Sequence, residues 1–214
     1  MIKAVIFDMD GVIVDSESYW KSVEKDFITR LVGTVKEGVM KKLVGMTIYD
    51  EYYFLKKYYK LPISKEEFIS LYNKMANEIY QQKASMIPGC LELIIQLNMS
   101  NFQLGIASSS QRSWIDIVTQ KFGLSKYFDV IVSGDEIENG KPDPEMFIKT
   151  LQIFSKKPQE CVVIEDSENG ILAAKAAGMK CIGFKDSENQ QDLRKADITV
   201  NKMEEINIEL ISRM

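Results

Sequence analysis

The sequence predicts an α/β fold, a Rossmann-like doubly wound parallel sheet with an α-helical domain inserted after its first strand. Three observations predict it. Short runs rich in Val and Ile read as buried parallel strands at Ala4 to Phe7, Leu104 to Ala107, Val130 to Val132 and Cys161 to Ile164. Helical periodicities separate the later runs. Residues 16–86 carry helical spacing but no convincing buried strand.

The first strand leads through Asp15 or Ser16 into a helix with Trp20, Val23, Phe27 and Leu31 on one stripe. A later helix opens with the capping box Ser64-x-x-Glu67 and carries Phe68, Leu71, Tyr72, Met75 and Ile79 down one face. Hinges are expected at Asp15 to Glu17 and Lys83 to Pro88, which divides the chain into 1–15 with 87–214, and 16–86. After the second strand, Trp114, Ile115, Val118 and Phe122 recur at helical spacing, and Gly123 suits the position just past a helix end. Asp143 and Pro144 read as N-cap and first helical residue, before a face of Met146, Phe147, Thr150, Leu151 and Phe154. Ile171 to Ala177 continues the helical pattern until Gly178.

Composition excludes several classes. Hydrophobic residues at 45% and charged residues at 27% describe an ordinary globular protein. The net charge of −4 builds no basic field for nucleic acid, so no such partner is expected. No apolar run is long enough to span a bilayer, and the first residues meet Asp8 too early for a signal peptide, so the expectation is a cytoplasmic chain without a membrane partner. Cys90, Cys161 and Cys181 lie far apart in apolar stretches and read as buried reduced thiols. The absence of histidine removes His-based triads and His-ligated zinc.

Polar groups follow the apolar runs. Asp8 and Asp10 follow the first, Ser108, Ser109 and Ser110 the second, and Glu165 with Asp166 the last, while Lys141 comes a short way after the third. In an open parallel sheet the ligand crevice lies beyond the carboxyl ends of the strands, so these groups should meet. Each alone has an ordinary reading as a helix cap. Together, carboxylates crowded without His or Cys require a hard cation, and Mg²⁺ with phosphate oxygens satisfies that requirement. Lys141 and the backbone N–H groups after Ser108 suit a phosphate.

Phe7-Asp8-Met9-Asp10-Gly11-Val12-Ile13-Val14-Asp15-Ser16-Glu17 resembles the first motif of the haloacid dehalogenase-like hydrolases. Ser108, Lys141 within Gly140-Lys141-Pro142-Asp143-Pro144, and Ile164-Glu165-Asp166-Ser167 resemble the second, third and fourth motifs in order and spacing. The resemblance implies a Mg²⁺-dependent phosphatase acting on a small phosphorylated metabolite, a sugar phosphate or a nucleotide. Asp8 is then the nucleophile that becomes an aspartyl-phosphate, and Asp10 the general acid and base. It further implies that Asp8, Asp166 and the Asp10 carbonyl hold the metal, with Glu165 coordinating directly or one step removed. Met9, Asp10, Ser108, Ser109 and Lys141 would contact the transferring phosphoryl group. Gly11 fits a tight turn beside the phosphate, or an ordinary turn.

Asp10 argues for chemistry at phosphorus, because the dehalogenases of the superfamily use the first Asp on carbon without a second acid two positions later. The helical insertion resembles the cap of the branch containing β-phosphoglucomutase and sugar-phosphate phosphatases. A mutase must grip a second phosphate, for which the family uses an arginine in the region matching Gly45-Met46-Thr47-Ile48-Tyr49, and this chain has none there. The cap histidine and lysine of the mutase fall on Trp20 and Ala76 in an ungapped matching. Hydrolysis is therefore preferred, with the mutase as the alternative. Thr47 and Trp20 are the candidates for leaving-group contacts, and Trp20 reads equally as core of the insertion. A phospho-accepting signalling domain and a catalytically idle binding protein are the readings outside enzymology. The first class is shorter and lacks the insertion, and the second usually loses a carboxylate. A monomer is expected.

Overall fold

The computed structural model describes residues 1–35, 38–43, 46–185 and 191–214. The chain begins with β1 (Ala4–Phe7), a tight turn and the short β2 (Val14–Asp15). Then come α1 (Glu17–Val32), α2 (Val39–Leu43), α3 (Ile48–Tyr59) and α4 (Lys65–Glu78), a π-helical turn at Ile79–Lys83, and β3 (Ser85–Met86). The remainder alternates: α5 (Cys90–Met99), β4 (Gln103–Ala107), α6 (Arg112–Lys121), β5 (Val130–Val132), α7 (Glu145–Phe154), β6 (Cys161–Glu165), α8 (Glu168–Ala176), β7 (Lys180–Phe184), β8 (Ile198–Val200) and α9 (Ile208–Ser212).

Six strands form one parallel sheet in the order β5-β4-β1-β6-β7-β8. The expected α/β doubly wound fold is thus present, extended by β7 and β8, which the sequence reading did not single out. The reversal of strand order falls at β1, which pairs with β4 on one side and β6 on the other. In register, Phe7 stands opposite both Ile106 and Ile164, so the chain leaves all three strands at one level. That shared level forms the crevice.

Alternation along the strands feeds two cores, as a sheet covered on both faces requires. Val5, Phe7, Val162 and Ile164 face one core, which continues through Ile28, Leu55, Phe68 and Tyr80 of the segment between β2 and β3. Ala4, Ile6, Cys161 and Val163 face the other, against Met146, Phe147, Leu151 and Phe154 of α7 and Ile171 and Ala174 of α8. All three cysteines are buried and reduced.

Local signals set most boundaries. The Ser64 hydroxyl accepts the Glu67 N–H at 3.1 Å and starts α4. The Asp143 carboxylate accepts the Glu145 N–H at 2.9 Å, a cap two residues ahead of the first regular residue of α7. Gly123, at φ +66°, sits just past α6 in the left-handed conformation that ends helices. The stripe on α1 differs from expectation, because Ile28 is its fully buried member while Trp20, Val23, Phe27 and Leu31 are half-buried. The two chain crossings at residues 14–15 and 85–86 pair as an antiparallel ribbon, a contact between residues 70 positions apart that periodicity cannot report.

Among the described residues no helix is long and apolar enough to cross a membrane.

Candidate active site

Asp8 is the first residue after β1, and its N–H donates to the Ile164 carbonyl at 3.0 Å, so the sheet ladder itself fixes where its carboxylate emerges. Ser108 follows β4 and is tied to β5 through the Val132 carbonyl at 3.1 Å. Glu165 ends β6 and Asp166 follows it. These ends open into a cavity of about 150 Å³, lined on the sheet side by Asp8, Asp10, Ser108, Ser109, Ser110, Lys141, Glu165, Asp166 and Ser167. Its opposite wall is Trp20, Lys21, Glu24, Leu43, Met46, Ile48, Glu51, Tyr72, Tyr80 and Trp114.

Lys141 is 3% exposed and all three of its N–H donors are used. Its Nζ lies 2.6 Å from Asp8 Oδ1, 2.6 Å from Glu165 Oε1 and 3.2 Å from the Ala107 carbonyl. Burial alone would lower its pKa, but the Asp8 and Glu165 carboxylates overcome that and raise it, so it is a fixed cation. Glu165 is wholly buried, and its second oxygen accepts the Ser167 N–H and hydroxyl, each at 2.9 Å. Both its oxygens are therefore engaged by the protein.

Burial pushes the Asp8 carboxyl up to about 8. Lys141 pulls the other way, while Glu165 and Asp10 add to the rise. The physical content is a shortage of positive charge, one buried lysine serving the four carboxylates on the sheet side of the cavity.

The donor chemistry fits a hard divalent cation, oxygen only and over-acidic. A further fit lies at Gly11, whose φ is +79° and whose missing Cβ would stand 2.2 Å from Asp166 Oδ2. The Asp166 carboxylate is thus pressed against the backbone that follows Asp10. Among the described residues no three acidic, Cys or His side chains form a metal-holding group by themselves. A set of two carboxylates and a backbone carbonyl does not require one.

Asp10 accepts hydrogen bonds from the hydroxyls of Ser16, of Tyr80 at 2.8 Å and of Ser110 at 2.8 Å. Tyr80 is fully buried and takes a bond from Trp20 Nε1 at 3.1 Å. Trp20 stands among Tyr72, Tyr80 and Trp114, with ring centroids 5.5 to 6.0 Å away.

The structure therefore brings Asp8, Asp10, Trp20, Ser108, Ser109, Lys141, Glu165 and Asp166 to one cavity. Two expected contacts fall elsewhere. The Met9 side chain is fully buried in the hydrophobic core, because it points to the opposite side of the turn from its two acidic neighbours. The Thr47 hydroxyl caps α3 through the Asp50 N–H, and its methyl abuts the loops at Gly134 and Gly140. Gly45 lies outside the described residues.

Sequence reasoning missed Ser110, Tyr80, Glu24 and Glu51 as cavity residues. Ser110 stood in a quoted serine run. Tyr80 continues the Phe68, Tyr72, Ala76 stripe at four-residue spacing, which would have found its burial but not its partner.

The haloacid dehalogenase-like hydrolase family profile matches residues 5–184. The phosphorylated carbohydrates phosphatase of Thermotoga maritima is 30% identical over 182 residues, 85% of this chain and 84% of that protein. The beta-phosphoglucomutase of Bacillus subtilis is 29% identical over 98% of this chain and 94% of its own length. The crystal structure of beta-phosphoglucomutase from Clostridium difficile superposes with a TM-score of 0.82 at 27% identity, covering 100% of this chain and 96% of that one. With the fold, the four motif positions in one cavity and these similarities in agreement, the chain belongs to the haloacid dehalogenase-like hydrolases.

Proposed function

We propose that this hydrolase removes the phosphoryl group from a small phosphorylated metabolite, a sugar or polyol phosphate, through an aspartyl-phosphate on Asp8. The observation that carries the reading is the convergence of Asp8, Asp10, Ser108, Lys141 and Asp166 on one small cavity at the topological switch of the sheet.

In this reading the Asp8 carboxylate attacks phosphorus in line, and Asp10 gives a proton to the leaving oxygen. Water then attacks the phosphorus and passes its proton to Asp10, which frees Asp8. Lys141, the Ser108 hydroxyl and the Ser109 backbone hold the equatorial oxygens where charge develops. Asp8, Asp166 and the Asp10 carbonyl would hold Mg²⁺, which supplies charge neutralisation for the phosphoryl group. Glu165, with both oxygens engaged, anchors Lys141 instead of touching the ion. Residues 16–86 form the cap, hinged on the ribbon of β2 and β3, over the core built from 1–15 and 87–214.

The wall facing the phosphate site favours hydrolysis over mutase chemistry. Among the described residues no arginine lines it. Relatives with a carbohydrate phosphatase name support the substrate class.

The test is free-phosphate release with Mg²⁺ over a panel of phosphorylated sugars, polyols and nucleotides, beside an Asp8→Asn control. Release by wild type alone is expected. Equal release by both proteins would remove Asp8 as nucleophile. Turnover of β-glucose 1-phosphate to glucose 6-phosphate with a bisphosphate activator would replace hydrolysis with the mutase.

A further inference from the structure

The helical segment returns to the sheet through a turn that is not α-helical. Over Ile79–Lys83 the chain widens into a π-helix, closed by the Ala84 N–H on the Ile79 carbonyl at 2.7 Å. The turn is clamped from outside. Lys121, at the end of α6, donates to the Tyr80 carbonyl at 2.9 Å and to the Ala84 carbonyl at 2.7 Å. Tyr80 is thus fixed at its backbone by a helix packed on the sheet.

Its side chain is fixed as well. The Tyr80 hydroxyl has one hydrogen, which goes to Asp10 Oδ1, while its lone pair accepts from Trp20 Nε1. Ser16 meets the same Asp10 oxygen and Ser110 the other. The three donors come from the entry of the helical segment, its exit and the loop after β4. Bonds from neutral hydroxyls to a charged carboxylate are among the stronger hydrogen bonds, and an aspartate has only two side-chain torsions to fix. Its aim is over-determined, and Tyr80 is the donor whose position is itself held on both sides.

We propose that Tyr80, braced by Trp20 and Lys121, is a positioning residue that aims the Asp10 carboxyl at the leaving oxygen. The inference rests on the reading of Asp10 as the general acid and base. Its consequence depends on the leaving group. When the P–O bond to an alkyl alcohol breaks, the oxygen must take the Asp10 proton as it leaves. When p-nitrophenolate leaves, no proton is needed, and only the later attack of water calls on Asp10.

The experiment compares Tyr80→Phe, which keeps the ring and removes the hydroxyl, with wild type and with Asp10→Asn. Rapid-quench kinetics with Mg²⁺ follow the first turnover on the best sugar or polyol phosphate of the panel and on p-nitrophenyl phosphate. For Tyr80→Phe the first turnover on the alkyl phosphate should fall about 10- to 100-fold, a fraction of the roughly 10²–10⁴-fold that general acid catalysis supplies, and nitrophenolate release by less than about threefold. A burst of nitrophenolate equal to the enzyme concentration should then precede slow turnover. Trp20→Phe, which removes the indole donor together with part of the ring, should give the same pattern in weaker form.

If Asp10→Asn is selective for the alkyl substrate while Tyr80→Phe slows both substrates equally, or neither, the positioning role is overturned and the acid-base reading survives. If Asp10→Asn itself shows no leaving-group dependence, both fall.

Discussion

Replacing Glu24 by glutamine is expected to remove a pH dependence of stability seated in the segment between β2 and β3. Glu24 on α1 and Glu51 on α3 share a hydrogen bond, and Tyr72 on α4 lies 3.1 Å from Glu24 Oε1 and 2.6 Å from Glu51 Oε2. Burial raises the Glu24 carboxyl from 4.5 to about 7, while burial and the Glu24 charge hold Glu51 well above its ordinary value. In the unfolded chain both ionise near 4.5, so below that pH neither state is penalised. Between about 4.5 and 7 the unfolded chain releases a proton that the folded one retains, and stability falls as pH rises through that window. A rise of about 2.5 units at 1.36 kcal/mol each gives about 3 kcal/mol as an upper bound, because Glu24 borders the cavity and is reached by water. Glutamine keeps the shape and an acceptor for Glu51 but has no proton to lose. Urea unfolding of wild type and Glu24→Gln at pH 5 and pH 8 measures the difference. The variant should gain about 2–3 kcal/mol on wild type at pH 8 and about 1 kcal/mol or less at pH 5. An equal difference at both pH values, or a loss at pH 8, would show that the pair is not a shared-proton site.

Three further outcomes follow from close contacts. Gly11→Ala forces a Cβ into Asp166 at a positive φ, so Mg²⁺ affinity measured by calorimetry should fall at least about tenfold. Glu165→Gln leaves Lys141 with one buried anionic partner instead of two. Because Asp8 still balances the Lys141 charge, the loss is that of a charge-assisted hydrogen bond, about 1–3 kcal/mol in thermal unfolding, with most phosphate release abolished, and a variant of wild-type stability would show the pair contributes little. Gly105→Ala places a Cβ 2.9 Å from the Phe154 ring across the β4–α7 contact. A loss of about 1–3 kcal/mol, recovered in part by Phe154→Leu, is expected in the same assay.

The convergence of the candidate residues was legible because a parallel sheet converts sequence order into place. A residue just after a buried strand must emerge at the carboxyl edge, so Asp8, Ser108 and Asp166 could be assigned to one crevice from the strand runs alone. Even Lys141, separated from its strand by a loop, was recoverable from its motif. Met9 shows the limit, since the turn after β1 sends alternate side chains to opposite sides and only the acids reach the cavity. Thr47 shows another, because a hydroxyl before a helix serves equally as a cap or a ligand contact, and here it caps.

Residue order and type by themselves determined the doubly wound architecture, the helical insertion and the acid, serine and lysine set, since burial periodicity and strand-end placement are local consequences of the chain. Only the tertiary structure decided which partner each group takes. That Glu165 spends both oxygens on Lys141 and Ser167, that Tyr80 and Ser16 hold Asp10 from opposite ends of the insertion, and that Glu24 and Glu51 share a hydrogen bond all depend on long-range packing. Lone acids and tyrosines on amphipathic helices carry no sequence mark of the neighbour they will meet, because that neighbour arrives from another helix, tens of residues away.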